Sequence, residues 1–277
     1  MADLDRARTA ADLLALLELE PIDRDIFRGH TPPSGGSRVF GGHVAAQALR
    51  AAAATVESDH TIHSLHGYFM RPGEHHTPII YMSDRIRDGR SFTTRRVRAV
   101  QHGEAIFSLS ASFHRAEPGP SHQVPMPHAP DPDGDDGFEP TPVSRFAARS
   151  PFEVRDVELG SSGEPWRSTR RTWVRTRGAM PDDPDLHACV LTYLSDMGVV
   201  SAARIAVDIP REAHWGASLD HALWFHRPAR CDEWLLVDLR PVSNAGARGL
   251  VFGTVHSGAG TLVASLTQET LVRRRHE

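Results

Sequence analysis

Two stretches of the sequence share one pattern, and together they decide the fold. Residues 63–73 read HSLHGYFMRPG, an apolar run that ends at Arg-Pro, and residues 218–228 read SLDHALWFHRP and end in the same way. Arg71 and Arg227 stand 156 residues apart, and the flanking phenylalanine and proline match at that offset without a gap. Matches that recur at a fixed offset indicate an internal repeat.

The repeat extends on both sides of these strands. Upstream, residues 40–56 (FGGHVAAQALRAAAATV) and residues 196–207 (DMGVVSAARIAV) each read as a short glycine turn that opens an alanine-rich helix. Downstream, residues 78–86 correspond to 234–242, and residues 105–113 correspond to 261–269. A helix rich in Ala and Gly is thin enough for a sheet to wrap closely around it. We therefore predict an α+β fold of two tandem hotdog units, each an antiparallel sheet curled around one helix.

A proline-rich stretch separates the two halves. Residues 118–142 carry eight prolines, which neither a helix nor a central strand tolerates. We predict an N-terminal hotdog over residues 1–117, a linker over 118–150 and a C-terminal hotdog over 151–277.

Composition excludes several classes of function. The net charge is -4, and all 31 basic residues are arginine. A chain without lysine cannot form a Schiff base with pyridoxal phosphate, and one without a basic surplus is poorly suited to nucleic acid or an anionic membrane. Cys189 and Cys231 are too few for a disulfide scaffold, the N-terminus lacks a secretory pattern, and no membrane span is expected. We expect a cytoplasmic protein.

With the repeat in place, the chain resembles the acyl-CoA thioesterase II, or TesB-like, double-hotdog family from about Leu14 to Arg273. The resemblance rests on FRGHTPPSGGSRVFGGHVAAQAL, LHGYFMRPG, RDGRSFTTRRVRAVQHGEAIFSLSASF, SLDHALWFHRP and VASLTQE, in that order. It implies that an activated water hydrolyses acyl-CoA without a cofactor, a metal or a covalent intermediate. The family's three catalytic positions fall on Asp196, Ser218 and Gln268.

The repeat offers an independent view of these three residues. Their counterparts at the same offset are Phe40, Ile62 and Ser112, so a site that needs all three side chains occurs once, in the C-terminal half. The carboxylate of Asp196 would serve as the base, while Ser218 and Gln268 would hold the water. Two structural alternatives remain: Asp196 as a helix N-cap, and Gln268 as a core amide bonded to a neighbouring backbone.

Candidate substrate-binding residues are less specific. Backbone N–H groups at residues 41–43, which include Gly42 and His43, or at residues 197–199 would suit a developing oxyanion. Many relatives have Gln at the position of His43, which bears on substrate preference. Of the arginines in and around the predicted strands, Arg90, Arg96 and Arg248 are candidates for CoA phosphates, with a solvated strand face as the alternative.

Two other functions are compatible with the sequence. One is a hotdog hydratase or dehydratase with an Asp–His pair, for which His221 is available; the other is a non-catalytic acyl-CoA-binding protein. A metal site at His60, His63 and His66 is disfavoured, because alternation on a strand points His63 away from the other two. The chain also lacks a G-x-S-x-G nucleophile turn. We expect a homodimer or a homotetramer.

Overall fold

A computed structural model of the chain describes residues 8–31, 38–138, 150–157, 169–211 and 213–274. The N-terminal half contains α1 (Ala10–Leu17), β1 (Glu20–Asp23), β2 (Ile26–Gly29), α2 (Gly41–Ala53), β3 (His60–Phe69), β4 (Ile79–Asp88), β5 (Phe92–Gln101) and β6 (Glu104–Arg115). The C-terminal half contains β7 (Phe152–Asp156), β8 (Arg170–Thr176), α3 (Pro184–Ser195), α4 (Val199–Ile205), β9 (His214–Ser218), β10 (Asp220–Phe225), β11 (Leu235–Ala245), β12 (Arg248–Ser257) and β13 (Leu262–Arg274).

The two halves form one antiparallel sheet with an approximate two-fold axis. In the described ranges the strand order is β1-β2-β4-β5-β6-β3-β10-β13-β12-β11-β8-β7, with β9 paired to β13. At the centre, where β3 pairs with β10, His66 lies opposite Ala222. These two residues are 156 positions apart, so a residue and its own repeat counterpart meet on the axis. The pairing register therefore supports the repeat that the sequence predicts.

Irregularities in the strands repeat as well. A β-bulge interrupts the pairing of β4 with β5 between Arg85 and Arg87, and another interrupts the pairing of β11 with β12 between Pro241 and Ser243. Both bulges lie at the same offset of 156 residues. Since a bulge bends its strand and increases the local twist, the two halves curl in the same way around their helices.

The central helices differ in length. In the N-terminal half α2 is buried along most of its length, as its run of alanines predicts. Its counterpart α4 is only seven residues long. It is preceded by α3, an apolar helix that our sequence analysis did not anticipate. Pro184 opens α3, and the Asp183 side chain accepts hydrogen bonds from two N–H groups of its first turn. Gly198, with a φ of 84°, separates α3 from α4.

The stretch Pro184–Ile205 is long and apolar enough to cross a membrane by length and composition alone. The sequence-based expectation that no stretch passes this test was therefore wrong. The stretch is broken at Gly198, and 61% of its apolar 18-residue window is buried inside the fold. Its apolar side chains pack against the sheet and α2, as core helices of folded domains do.

The first part of the proline-rich segment packs on the outer face of the C-terminal half. The indole N–H of Trp173 donates to the Pro130 carbonyl at 2.9 Å, and that of Trp234 donates to Asp133 Oδ1 at 3.0 Å. Phe138 then forms a β-bridge with Val157. Up to residue 138 this segment therefore covers the C-terminal sheet, whereas residues 139–149 of the predicted linker lie outside the described ranges.

A buried arginine ties α2 to the sheet. Arg95 is 1% exposed. Its Nε donates to Thr55 Oγ1 at 2.8 Å, and its Nη2 donates to the Thr55 carbonyl at 2.9 Å, just beyond the end of α2. Its Nη1 donates to the Arg87 carbonyl at 3.1 Å. Arg95 is therefore a structural residue, unlike its exposed neighbour Arg96.

We expect Arg95→Ala to lower the free energy of unfolding by about 3 kcal/mol, because it leaves a cavity and buried acceptors without donors. Arg96→Ala is the matched control. Since Arg96 forms an exposed pair with Asp84, its loss should cost less than about 1 kcal/mol. Urea unfolding measures both, and equal losses in the two variants would contradict the structural role of Arg95.

Candidate active site

Asp196 lies at the junction of α3 and α4, and its side chain crosses to the other half of the molecule. It is the C-terminal cap residue of α3 and stands two residues before Gly198, the N-cap of α4. Its Oδ2 accepts a hydrogen bond from the Gly42 N–H, in the first turn of α2, at 2.8 Å. The alternative that Asp196 caps the helix that follows it was therefore wrong. It supplies the acceptor that Phe40, the N-cap residue of α2, does not provide.

The close approach of α2 to Asp196 requires glycine. A Cβ on Gly41 would lie 2.9 Å from Asp196 Oδ2 and 2.9 Å from the Phe69 ring. A Cβ on Gly42 would lie 2.4 Å from the Tyr193 carbonyl. The GG pair that opens the N-terminal helix in the sequence thus lets the positive end of the α2 dipole reach the carboxylate.

Aromatic rings hold this helix junction together. The ring centroids of Phe40 and Tyr193 are 5.0 Å apart, and those of Phe152 and Tyr193 are 5.5 Å apart. Tyr193 is three residues before Asp196, on the last turn of α3. These contacts fix the end of α3 against the start of α2 and so fix the position of the carboxylate.

Ser218 reaches the same carboxylate from a break between two strands. It ends β9, and β10 begins at Asp220, while both strands pair with β13. In the N-terminal half, a bulge between Ile62 and Ser64 stands at the same offset. The break turns the Ser218 side chain toward Asp196, and its Oγ donates to Oδ1 at 3.1 Å.

Gln268 completes the group from the inner face of β13. It is 0% exposed, and its Nε2 donates to Asp196 Oδ1 and to Ser218 Oγ, both at 2.9 Å. Both acceptors are side-chain atoms. The alternative that Gln268 is a core amide bonded to a neighbouring backbone was therefore wrong. The structure thus brings together Asp196, Ser218 and Gln268, while their catalytic roles stay a prediction.

Burial and donors act on the Asp196 carboxyl in opposite directions. Asp196 is 6% exposed, and this burial raises its pKa above the ordinary value of 3.8, against the hydrogen bonds from Gln268, Ser218 and Gly42. An ionised carboxylate has about four acceptor positions. Two donors occupy Oδ1 and one occupies Oδ2. One position on Oδ2 therefore has no donor among the described residues.

A further member of this network, His221, was not predicted from the sequence. It is 1% exposed, its Nδ1 lies 2.6 Å from Gln268 Oε1, and its Nε2 lies 2.8 Å from Ser195 Oγ. Burial lowers the pKa of His221 below 6.5. The alternation of β10, which puts His221 on the same face as Leu223, was the available signal that the ring faces inward.

The candidate substrate-binding residues lie apart from one another. The Gly42 N–H is bonded to Asp196, so it is not free for an oxyanion. His43 is buried edge-on to Tyr193, and burial lowers its pKa to about 4. Exposed positions on or beside the strands carry Arg90, Arg96 and Arg248. Two of these are paired with carboxylates, Arg96 with Asp84 and Arg248 with Glu269.

The histidines spaced by three residues have different neighbours. His60 Nδ1 contacts Asp59, His63 Nε2 contacts Ser112 Oγ, and the His66 ring packs edge-on against Trp224. The exposed carboxylates of Glu57 and Asp59 come close to the buried ring of His60. The carboxylates of this cluster lie at the edge of β3 and belong to no part of the network around Asp196.

The chain matches known proteins along nearly its whole length. Residues 30–114 match the acyl-CoA thioesterase N-terminal domain family, and residues 120–272 match the acyl-CoA thioesterase C-terminal domain family. A solved acyl-CoA thioesterase II, TesB2 from Mycobacterium marinum, is 42% identical, with a TM-score of 0.83 and coverage of 95% of this chain and 98% of that one. Human acyl-coenzyme A thioesterase 8 is 36% identical over 97% of this chain and 92% of its own length.

A more distant solved structure bears on the fold alone. A hot dog fold protein of unknown function from Alicyclobacillus acidocaldarius is 22% identical, with a TM-score of 0.76, and the match covers 95% of this chain and 98% of that one. Together with the observed sheet, this likeness confirms the predicted hotdog architecture.

We expect Gly41→Ala to impair thioester hydrolysis, the reaction for which these relatives are named, by about tenfold or more. The added Cβ forces Asp196 Oδ2 and the α2 N-terminus apart, and a displacement of about 1 Å at a reacting group costs on the order of 10²-fold. Gly119→Ala is the control, since a Cβ there meets nothing within 4 Å. Release of free CoA thiol measures the rate, and a fully active Gly41→Ala enzyme would show that this close approach is not needed.

Proposed function

This chain belongs to the TesB-like acyl-CoA thioesterase II family and hydrolyses acyl-CoA thioesters; we propose that Asp196 is the base that removes a proton from the attacking water. One observation carries this proposal. The Asp196 carboxylate is buried and fixed by three donors, and one acceptor position on Oδ2 has no donor among the described residues. A water bound there faces a base whose pKa is raised, which brings it closer to the operating pH.

The reaction needs one water and no external reactant. Asp196 Oδ2 accepts a proton from water as the oxygen attacks the thioester carbonyl carbon, and the tetrahedral intermediate carries the negative charge on the former carbonyl oxygen. The intermediate then collapses, the C–S bond breaks, and the CoA thiolate leaves and is protonated. The products are a carboxylic acid and CoA, with Asp196 returned to its ionised form. Ser218 and Gln268 keep Oδ1 occupied, so that the water binds on the Oδ2 side.

The developing oxyanion needs donors other than Gly42. The N–H of Gly41 is the first of α2 and has no acceptor within the helix. It stands next to the carboxylate, at the positive end of the helix dipole. We therefore propose that this N–H binds the oxyanion.

The hydratase alternative is disfavoured by the position of His221. An Asp–His hydratase needs a histidine that faces the substrate. Both nitrogens of His221 are engaged, by Gln268 and by Ser195, and the ring is enclosed in the core. The family relationship argues against a non-catalytic acyl-CoA-binding protein, because relatives at 36–42% identity are named as thioesterases.

We propose fatty acyl-CoA as the substrate class. Leu194 and Met197, on either side of Ser195 and Asp196, line a small cavity. Its other lining residues are the polar Arg170 and Thr172 and the apolar Val154, Val174, Val237 and Leu239. An apolar chain would gain stability beside the carboxylate from contact with such side chains. The exposed guanidinium groups of Arg90, Arg96 and Arg248 remain candidates for CoA phosphates, because surface ion pairs are exchanged at little cost. A panel of acyl-CoAs of increasing chain length tests this class, and hydrolysis confined to short polar acyl groups would contradict it.

A homodimer or homotetramer in the cytoplasm completes the proposal. Doubled hotdog sheets commonly associate further, and the outer face of this sheet exposes large apolar side chains at Tyr68, Trp224 and Phe252. The net charge of -4 does not favour nucleic acid or an anionic membrane as a partner. Light scattering of the purified chain tests the association, and a monomer at micromolar concentration would refute it.

We expect Asp196→Asn to lower kcat by a factor of about 10² to 10⁴, because the amide cannot accept the proton. Affinity for acyl-CoA should stay within about threefold, since the side chain keeps its size and still accepts a hydrogen bond. Asp59→Asn, at an exposed carboxylate beside β3, is the control. Thiol release gives kcat, and an unchanged rate in Asp196→Asn would remove Asp196 from the mechanism.

The pH dependence follows from the burial of Asp196. The base is active when ionised, and burial raises its pKa above 3.8. The rate should therefore fall, as the pH is lowered, at a pH above that of an ordinary carboxyl. Ser218→Ala removes a donor that lowers this pKa, so the acid limb of kcat/KM should move to higher pH. Ser112→Ala is the control on β6, and an acid limb that stays in place in Ser218→Ala would contradict the assignment.

A further inference from the structure

We propose that His221 is a positioning residue for Gln268: Ser195 holds its ring in the Nδ1–H form, and that ring holds the Gln268 amide with its NH2 group toward Asp196. The inference rests on the proposed use of Asp196 and Gln268 in hydrolysis. It adds two residues, Ser195 and His221, that the resemblance to the family does not assign.

The direction of the Gln268 amide determines the tautomer of His221. The amide Nε2 lies 2.9 Å from both Asp196 Oδ1 and Ser218 Oγ. A carboxylate only accepts, so the NH2 group faces it and the carbonyl Oε1 faces His221. At 2.6 Å from Oε1, Nδ1 of His221 must donate, because an amide oxygen has no proton.

Ser195 determines the state of the other ring nitrogen. Burial lowers the pKa of His221, so the neutral ring carries one proton, on Nδ1. Its Nε2 is then an acceptor. Ser195 Oγ lies 2.8 Å from Nε2 and 2.9 Å from the Thr192 carbonyl oxygen. Its single proton goes to Nε2 in this state, because a lone pair of Nε2 facing a lone pair of Oγ would be repelled. Ser195 is the last residue of α3 and precedes Asp196 in the chain. The hydrogen bonds therefore run in one direction, from Ser195 through His221 and Gln268 to Asp196.

The repeat shows that the fold does not need these polar residues. At the offset of 156, His221 corresponds to Leu65 and Ser195 to Val39. Leu65 is 0% exposed, like the imidazole it replaces. Both residues are thus polar only in the half that carries Asp196, and the amide of Gln268 is likewise absent from the other half, which has Ser112 at that position.

Loss of His221 would leave Gln268 without its orienting partner. The carbonyl Oε1 would be buried without a donor, which is unfavourable. The amide then gains by turning toward any other donor, and its NH2 group leaves Asp196 Oδ1. The carboxylate and Ser218 would lose their common donor, so the effect should appear in kcat.

The first test is a double-mutant cycle. His221→Leu installs the side chain that the other half uses, and His221→Asn keeps an N–H near the position of Nδ1. We expect His221→Leu to lower kcat by about 10- to 100-fold with KM within about threefold, and His221→Asn to recover at least a third of the wild-type kcat. In a Gln268→Ala background, His221→Leu should lower kcat by less than about twofold, since coupled residues are not additive.

Other outcomes of this cycle overturn the inference. Equal losses from His221→Leu in both backgrounds, or no recovery with Asn, would make His221 a packing residue only. If Asp196→Asn remains fully active, the proposed function of the site fails. If Asp196→Asn and Gln268→Ala are inactive while His221→Leu is wild-type, only this inference fails. A fully active Gln268→Ala enzyme overturns the inference as well.

The second test is made on wild-type His221 and does not require a variant of this residue. Nitrogen-15 NMR of the wild-type ring distinguishes the two tautomers and the cation. We expect a neutral His221 protonated on Nδ1 at pH 7, and a shift toward mixed tautomers in Ser195→Val, which installs the residue of the other half. An Nε2–H tautomer or a cation at pH 7 in the wild type would refute the proposal.

Discussion

The hydrogen bond between the Gly42 N–H and the Asp196 carboxylate joins the two halves at the site. It satisfies an N–H of α2 that its own N-cap residue leaves without a partner, and it places a negative charge at the positive end of a helix dipole. The carboxylate belongs to one half and the helix to the other, so neither half alone contains the site. The glycine pair, the break at Gly198 and the aromatic contacts of Tyr193 all serve this approach.

Duplication explains how such a site is built on a nearly symmetric frame. The sheet is continuous through the pairing of His66 with Ala222, and its bulges recur at one offset. The symmetry is broken at the site. The C-terminal half has Ser195, Asp196, Ser218, His221 and Gln268, and the N-terminal half has Val39, Phe40, Ile62, Leu65 and Ser112 at the corresponding positions. Both halves therefore share the same sheet and helix arrangement, but only the C-terminal half carries the polar side chains of the site.

Much of this could be predicted from the sequence. The offset between residues 63–73 and 218–228 predicted the repeat, and the alanine-rich stretch predicted α2. Resemblance to a family selected Asp196, Ser218 and Gln268, none of which stands out by spacing. The sequence did not predict α3, because its apolar residues have no clear helical period. It did not predict the contact of Asp196 with Gly42 either, since that contact joins residues 154 positions apart.

The polar network is also unfavourable for stability, which explains its confinement to one half. Burial of a carboxylate, an imidazole and an amide costs free energy that hydrogen bonds recover only in part. Four of the five counterparts (Val39, Phe40, Ile62 and Leu65) are apolar and the fifth is Ser112, so the same fold forms there without this network. The polar network around Asp196 therefore stabilises the fold less than apolar packing would. Within this network every side chain is hydrogen-bonded to another. Because each member orients the next, loss of any one leaves a buried polar atom without a partner, and a network of this kind keeps a carboxylate both buried and ready to accept a proton.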